Sequence, residues 1–119
     1  MKRIRFVGSA KDDLSAFPKS ARNRAGHELF MVQLGRESDD WKPMNSVGPG
    51  ACEIRVRDAE GAFRVIYVAS FADAVYVLHA FQKKSPSGVR TARTDVRLID
   101  ERLEAAKVDY EPRYGEKTD

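Results

Sequence analysis

Charged and apolar residues alternate from Lys2 to Val7, with Ile4 and Phe6 on one side and Arg3 and Arg5 on the other. A period of two predicts a half-buried strand. Gly8-Ser9 breaks it. Ser9 is placed to cap a short helix, with Asp12 in its first turn and Leu14 and Phe17 as its apolar side. The Phe17-Pro18 step ends that helix, because a residue before proline avoids the helical region. Pro18 suits the start of a second helix. There Ala21, Ala25, Leu29 and Val32 recur at helical spacing, with Phe30 and Leu34 beside them, and Gly35 supplies a stop. Gly26 inside this helix costs about 1 kcal/mol against alanine. The two helices read as a hairpin covering one face of a sheet.

Residues 36–50 carry the Asp, Pro, Asn and Gly of a loop, with Trp41 as an anchor and a short edge strand expected around Met44 to Val47. From Ala51 the pattern changes to that of a meander. Cys52, Ile54 and Val56 alternate with Glu53, Arg55 and Arg57, so one face is apolar and the other charged. Asp58 to Ala62 is a turn. Phe63 to Ala69 is continuously apolar, as a central strand should be, and Ser70 to Asp73 turns the chain again. Ala74 to Gln82 is a third strand, rich in valine and aromatics. Short turns between consecutive strands imply antiparallel pairing. Ser85-Pro86-Ser87-Gly88 then punctuates the chain before a final helix. Its apolar stripe is Val89, Ala92, Val96, Ile99, Leu103 and Ala106. Arg90, Arg93 and Arg97 each follow one residue later, about 100° around the helix. Beyond Val108 the composition turns polar, and residues 109–119 read as a flexible tail.

With 119 residues, one α+β domain spanning 1–119 is expected. Cys52 is the only cysteine, which excludes an internal disulfide and fits a reducing compartment. One Cys and two His cannot form a cysteine-rich zinc site, and no ligand spacing suggests another metal or cofactor. The chain has no long apolar run for a membrane span and no apolar segment for a signal peptide, so a cytoplasmic protein is expected. The net charge of +3 says little, but its distribution says more. From Arg55 to Arg97 there are eight basic residues against four acidic, and from Leu98 to Asp119 four against seven. A basic surplus on the sheet suits a polyanion.

Arg55 and Arg57 share a strand face, and Arg64 follows the turn, so it can lie across the ladder from them. Such a cluster can hold a phosphate through the bidentate donors of arginine. It also lowers the pKa of a neighbouring lysine, which would make Lys83 or Lys84 a usable base. His79 is the only nearby side chain whose ordinary pKa is near neutrality. Plainer readings stand beside these. Arg55 and Arg57 can be solvated or paired with Glu53, Asp58 or Glu60. His79 can be a packed core residue, and Tyr67 and Tyr76 core aromatics. The arginines of the last helix can be ordinary surface charge.

The ordered set KPMNSVGPGACEIRVR, FRVIYV and VLHAFQKKSP, from Lys42 to Pro86, resembles the RelE/HigB superfamily of bacterial toxins, most closely its phage-derived HigB-like branch. The superfamily pattern is an E-[LI]-R strand, an R-[VI]-x-Y strand and an L-H-x-F-x-K-K strand end. The N-terminal helical hairpin and the final helix fit it too. The resemblance implies a RelE-like fold and a metal-independent endoribonuclease acting on mRNA, commonly on translating ribosomes. It also implies a helix-turn-helix antitoxin as partner and no cofactor. The resemblance adds weight to Arg55, Arg64 and Lys84; together with the reading of the residues themselves, the expected catalytic set is Arg55, Arg64, His79 and Lys84, with Arg57, Lys83, Arg90 and Arg93 expected to bind RNA phosphates. The chain departs from the family in lacking a tyrosine between Lys84 and Tyr110 and a histidine near its end. Two alternatives therefore accompany the nuclease reading: a ParE-like gyrase poison without nuclease activity, and an inactive module of the same fold that docks an antitoxin.

Overall fold

The strands expected between Ala51 and Lys84 pair as an antiparallel meander. A computed structural model of the chain describes residues 1–44, 47–48, 50–83 and 93–114. Its elements in order are β1 (Arg3–Phe6), α1 (Ala10–Ser15), α2 (Lys19–Gln33), β2 (Trp41–Pro43), β3 (Ala51–Asp58), β4 (Gly61–Val68), β5 (Ala74–Lys83) and α3 (Arg93–Tyr114). The five strands form one sheet in the order β1-β5-β4-β3-β2. Among the described residues, only the β1–β5 pair is parallel. The fold is mixed α+β.

The sheet is the middle layer of three. Ile54, Val56, Phe63, Val65, Tyr67, Val75 and Val77 point to one face, where Leu14, Phe17, Ala21, Ala25, Leu29 and Val32 of the helical hairpin cover them. Ile66, Val68, Tyr76 and Leu78 point to the other, against Ile99, Leu103 and Ala106 of α3. Being covered on both faces explains why β4 and β5 read as apolar runs instead of alternating. Among the described residues, no helix is long and apolar enough to cross a membrane.

Several expectations shift. The edge strand lies at Trp41–Pro43, earlier than expected, with Trp41 opposite Ile54 and Pro43 opposite Cys52. Proline is tolerated at an edge because the N–H it lacks would have faced away from the ladder. Ser9 stands at the helix start but makes no side-chain cap bond; its hydroxyl donates to Asp13 Oδ2 instead, at 2.7 Å. Gly35 ends α2 as expected, with φ of 81° in the left-handed region. Residues 109–114, expected in a tail, are the last turns of α3. They are held by packing: the Tyr110 ring stacks on Phe71 at 4.3 Å, and Tyr114 accepts a hydrogen bond from Arg5 Nε at 2.8 Å. Val89 and Ala92, the expected start of the last apolar stripe, lie outside the described residues.

A half-buried polar contact ties this end of α3 to the sheet. The Tyr76 hydroxyl donates to Asp109 Oδ2 at 2.6 Å, and Arg113 Nε donates to the same carboxylate at 3.0 Å. These bonds, the tyrosine's first, hold the Asp109 carboxyl below its ordinary pKa. Burial, followed by the carboxylate, pushes the Tyr76 hydroxyl up. A carboxyl depressed in the folded state stabilises the fold above its unfolded pKa, and that contribution disappears as pH falls through the folded value. Tyr76→Phe should therefore cost about 1 kcal/mol at neutral pH. The gap between variant and wild type in urea unfolding should close as pH drops below about 4. A gap constant down to about pH 2 would deny the coupling.

Candidate functional site

Strand pairing sorts the charged residues into rows across the face that α3 shares. In the first row Lys42, Glu53, Ile66 and His79 stand opposite one another on β2, β3, β4 and β5. In the second, Arg55 faces Arg64, which faces Phe81. In the third, Arg57 faces Ala62, which faces Lys83. Arg57 and Lys83 thus flank a position filled only by a methyl group. Successive rows lie about 7 Å apart, two residues along a strand.

His79 joins this face because β5 is irregular. Ile66 pairs with His79 while Tyr67 pairs with Val77, which leaves Leu78 as an extra residue. A bulge of this kind lets two consecutive residues point the same way. Without it, His79 would follow Val75 and Val77 toward the helical hairpin. Its Nε2 lies 2.8 Å from Asp95 Oδ1 in the first turn of α3, and its ring stacks on Phe81 at 4.8 Å. The carboxylate can only accept, so Nε2 carries the proton. Nδ1 is buried and has no hydrogen-bond partner among the described residues.

Arg55 directly opposite Arg64 is a like-charge pair, unfavourable by itself. Glu53 compensates it. Its Oε1 lies 3.6 Å from Arg55 Nε, 3.8 Å from Arg64 Nε and 3.6 Å from Lys42 Nζ. Glu53 is 4% exposed and Arg64 8%, so both charges sit largely out of water. Arg64 Nη1 also donates to the Phe63 carbonyl at 3.3 Å. Burial pulls the Arg64 pKa down, Glu53 opposes that, and Arg55 and Arg57 add to it. Lys83 is lowered as well, first by burial and then by Arg64. That direction agrees with the expected effect of neighbouring cations, although burial is the larger cause.

The second partner of Arg55 comes from the loop before β2. Asp40 Oδ1 lies 3.7 Å from Arg55 Nε, and the Asp40 carbonyl accepts the Arg55 backbone N–H at 2.9 Å. That loop is tied to α2 by Glu28, a buried carboxylate that accepts the Asp39 N–H at 2.6 Å.

Five of the expected site residues therefore share one face: Arg55, Arg57, Arg64, His79 and Lys83. Lys84 and Arg90 lie outside the described residues. Arg93 is exposed at the first position of α3. It stands about 200° around the helix from Asp95, which faces the sheet, so it points away from the rows. Tyr67 and Tyr76 are core residues, and the Tyr76 hydroxyl is bonded to Asp109. Cys52 is on the hairpin side beside Tyr67, and burial raises its pKa. Sequence reasoning treated Glu53 only as a surface partner for arginine and did not single out Lys42, Asp40 or Asp95. The Glu53-Ile54-Arg55 alternation was the available signal for the first, since it puts both charges on one face. Nothing local marked Asp95.

Residues 12–104 match the family described as Phage derived protein Gp49-like (DUF891). No curated protein matches the chain.

Proposed function

The chain belongs to the Gp49-like family of phage-derived proteins, which is associated with toxin–antitoxin systems, and from that premise we propose that it is the toxin of such a pair, a RelE-like endoribonuclease of mRNA. What carries the reading is the row geometry: Arg55 opposite Arg64, with Arg57 and Lys83 one row further on the same face. RNA brings its own nucleophile, the 2′-hydroxyl beside the scissile phosphate. The protein must align the attack, neutralise charge building on the phosphate, and manage two protons. Arg55 and Arg64 take the second task, since preorganised cations at developing charge supply several kcal/mol. Arg57 and Lys83 hold a neighbouring phosphate. Lys83, with its pKa lowered by burial and by Arg64, is suited to exchange a proton, as is Lys84 one residue on. His79 belongs to this set through its place beside Phe81 and Asp95. The chemistry needs no metal, because the cations do the neutralising. A helix-turn-helix antitoxin is the expected partner, and mRNA on the ribosome the expected substrate.

One observation favours a second reading. His79 is 7% exposed and its Nε2 is committed to Asp95, which leaves the nuclease without an obvious free imidazole. A ParE-like gyrase poison would not need one. Expression of the chain alone in bacteria separates the readings. Growth arrest with cleaved transcripts is the expected result. Arrest with broken or relaxed DNA would point to gyrase, and unimpeded growth to a binding module.

A further inference from the structure

Arginines on facing strands do not stay side by side unaided. Each guanidinium ends a long side chain with about 2 kcal/mol of rotamer entropy, and like charges drive the two apart. Arg55 and Arg64 nevertheless converge, and the atom on which they converge is Glu53 Oε1, at 3.6 and 3.8 Å. Lys42 reaches the same oxygen from the edge strand at 3.6 Å. The Glu53 side chain is only 5% exposed. A carboxylate so buried is tolerated only because cations surround it. It lies one row behind Arg55 and Arg64, on the side away from Arg57 and Lys83. Among the described residues of this face, the carboxylates Glu53, Asp40 and Asp95 stand among the five cations Lys42, Arg55, Arg57, Arg64 and Lys83, so the balance left for a ligand is positive.

We propose that Glu53 is the positioning residue of the phosphate site: it does not touch RNA, but holds Arg55 and Arg64 so that their free edges face the same phosphate. This rests on the reading of the cluster as a phosphate clamp. It makes a prediction opposite in sign to simple electrostatics. Removing a negative charge from a cationic site should tighten polyanion binding; removing the residue that aligns the cations should weaken it.

The test is binding of a 2′-O-methyl RNA oligonucleotide, which lacks the nucleophilic hydroxyl, by fluorescence anisotropy over a range of salt. Glu53→Gln, shown folded by circular dichroism, is expected to bind about tenfold or more weakly, equivalent to roughly one charge-assisted hydrogen bond. Its slope of log affinity against log salt should be shallower by about 0.7 for each phosphate that the variant no longer neutralises. Weaker binding with the wild-type slope would mark mere destabilisation and overturn the proposal. Affinity equal to or above wild type also overturns it and leaves the clamp standing. If Glu53→Gln does not fold, Glu53→Asp takes its place. It keeps the net charge but falls one methylene short of the arginines. Weaker binding with a shallower slope supports positioning, and wild-type affinity overturns it. Arg64→Ala serves as reference: wild-type affinity there removes the clamp, and this proposal with it.

Discussion

Replacing Arg64 with alanine is expected to abolish toxicity while leaving the protein folded. Arg64 is the cation nearest the middle of the rows, between Arg55 and Phe81 and one row from Lys83. In the nuclease reading it meets the charge that builds on the scissile phosphate. Removing one such preorganised donor costs about a hundred- to a thousandfold in rate. The fold loses less. Glu53 keeps Lys42 and Arg55 as partners, so no carboxylate is left buried alone. The Phe63 carbonyl loses one long hydrogen bond. A cost of about 1–3 kcal/mol is expected, within the roughly 5–15 kcal/mol that ordinary domains possess. Arg64→Lys tests geometry apart from charge. It should fold as well as wild type yet recover only a small part of the activity, because an ammonium cannot reproduce the planar fork. Growth after induction, transcript cleavage mapped by primer extension, and circular dichroism together decide the matter. A folded Arg64→Ala protein that arrests growth as wild type does would end the clamp reading.

The largest effect on stability is expected from Leu103→Ala. Leu103 is 1% exposed and sits between Ile99 and Ala106 on the face that α3 turns to the sheet. It also packs on Gly48, where even an added Cβ would come within 2.9 Å of its methyl group. Truncating such a leucine costs about 2–5 kcal/mol, depending on how far the surroundings collapse. Here collapse is limited, because the sheet below is rigid and Arg102 pins α3 to the Leu78 carbonyl at 2.9 Å. Amide exchange should rise first across residues 93–114 and only later in β4 and β5, since α3 packs on the sheet from one side alone. The phenotype should be conditional: arrest retained at low growth temperature and abolished on warming. Arg64→Ala should be inactive at both temperatures. An exchange pattern in which α3 and the central strands open together would show that α3 does not detach as a separate layer.

Much of the layout can be read from local pattern. Period-two alternation placed Arg55 and Arg57 on one face of β3, and the turn length carried Arg64 to the opposite strand. The recurrence of Ala21, Ala25, Leu29 and Val32 located the helix that covers the other face. These are properties of a chain segment and its immediate neighbour, fixed by strand pleat and helix pitch. Where the reading failed, the cause was packing between segments distant in sequence. The edge strand was misplaced because which three residues pair depends on the partner strand. The end of α3 was read as a tail because its residues are polar; Tyr110 and Tyr114 hold it through Phe71 and Arg5. His79 had an ambiguous phase because alternation assumes an unbroken ladder, and the extra residue at Leu78 reverses the phase beyond it.

The sequence by itself determined the elements apart from the edge strand and the end of α3, the apolar stripes of the helices and the charged character of the β3 face. Tertiary structure alone decided that Glu53 is buried, that one of its oxygens gathers three cations, that Asp95 meets His79, and that Arg93 turns away. Burial and charge pairing depend on what lies above and beside a residue, and here those neighbours come from β2, β4 and α3, which only the folded sheet brings together.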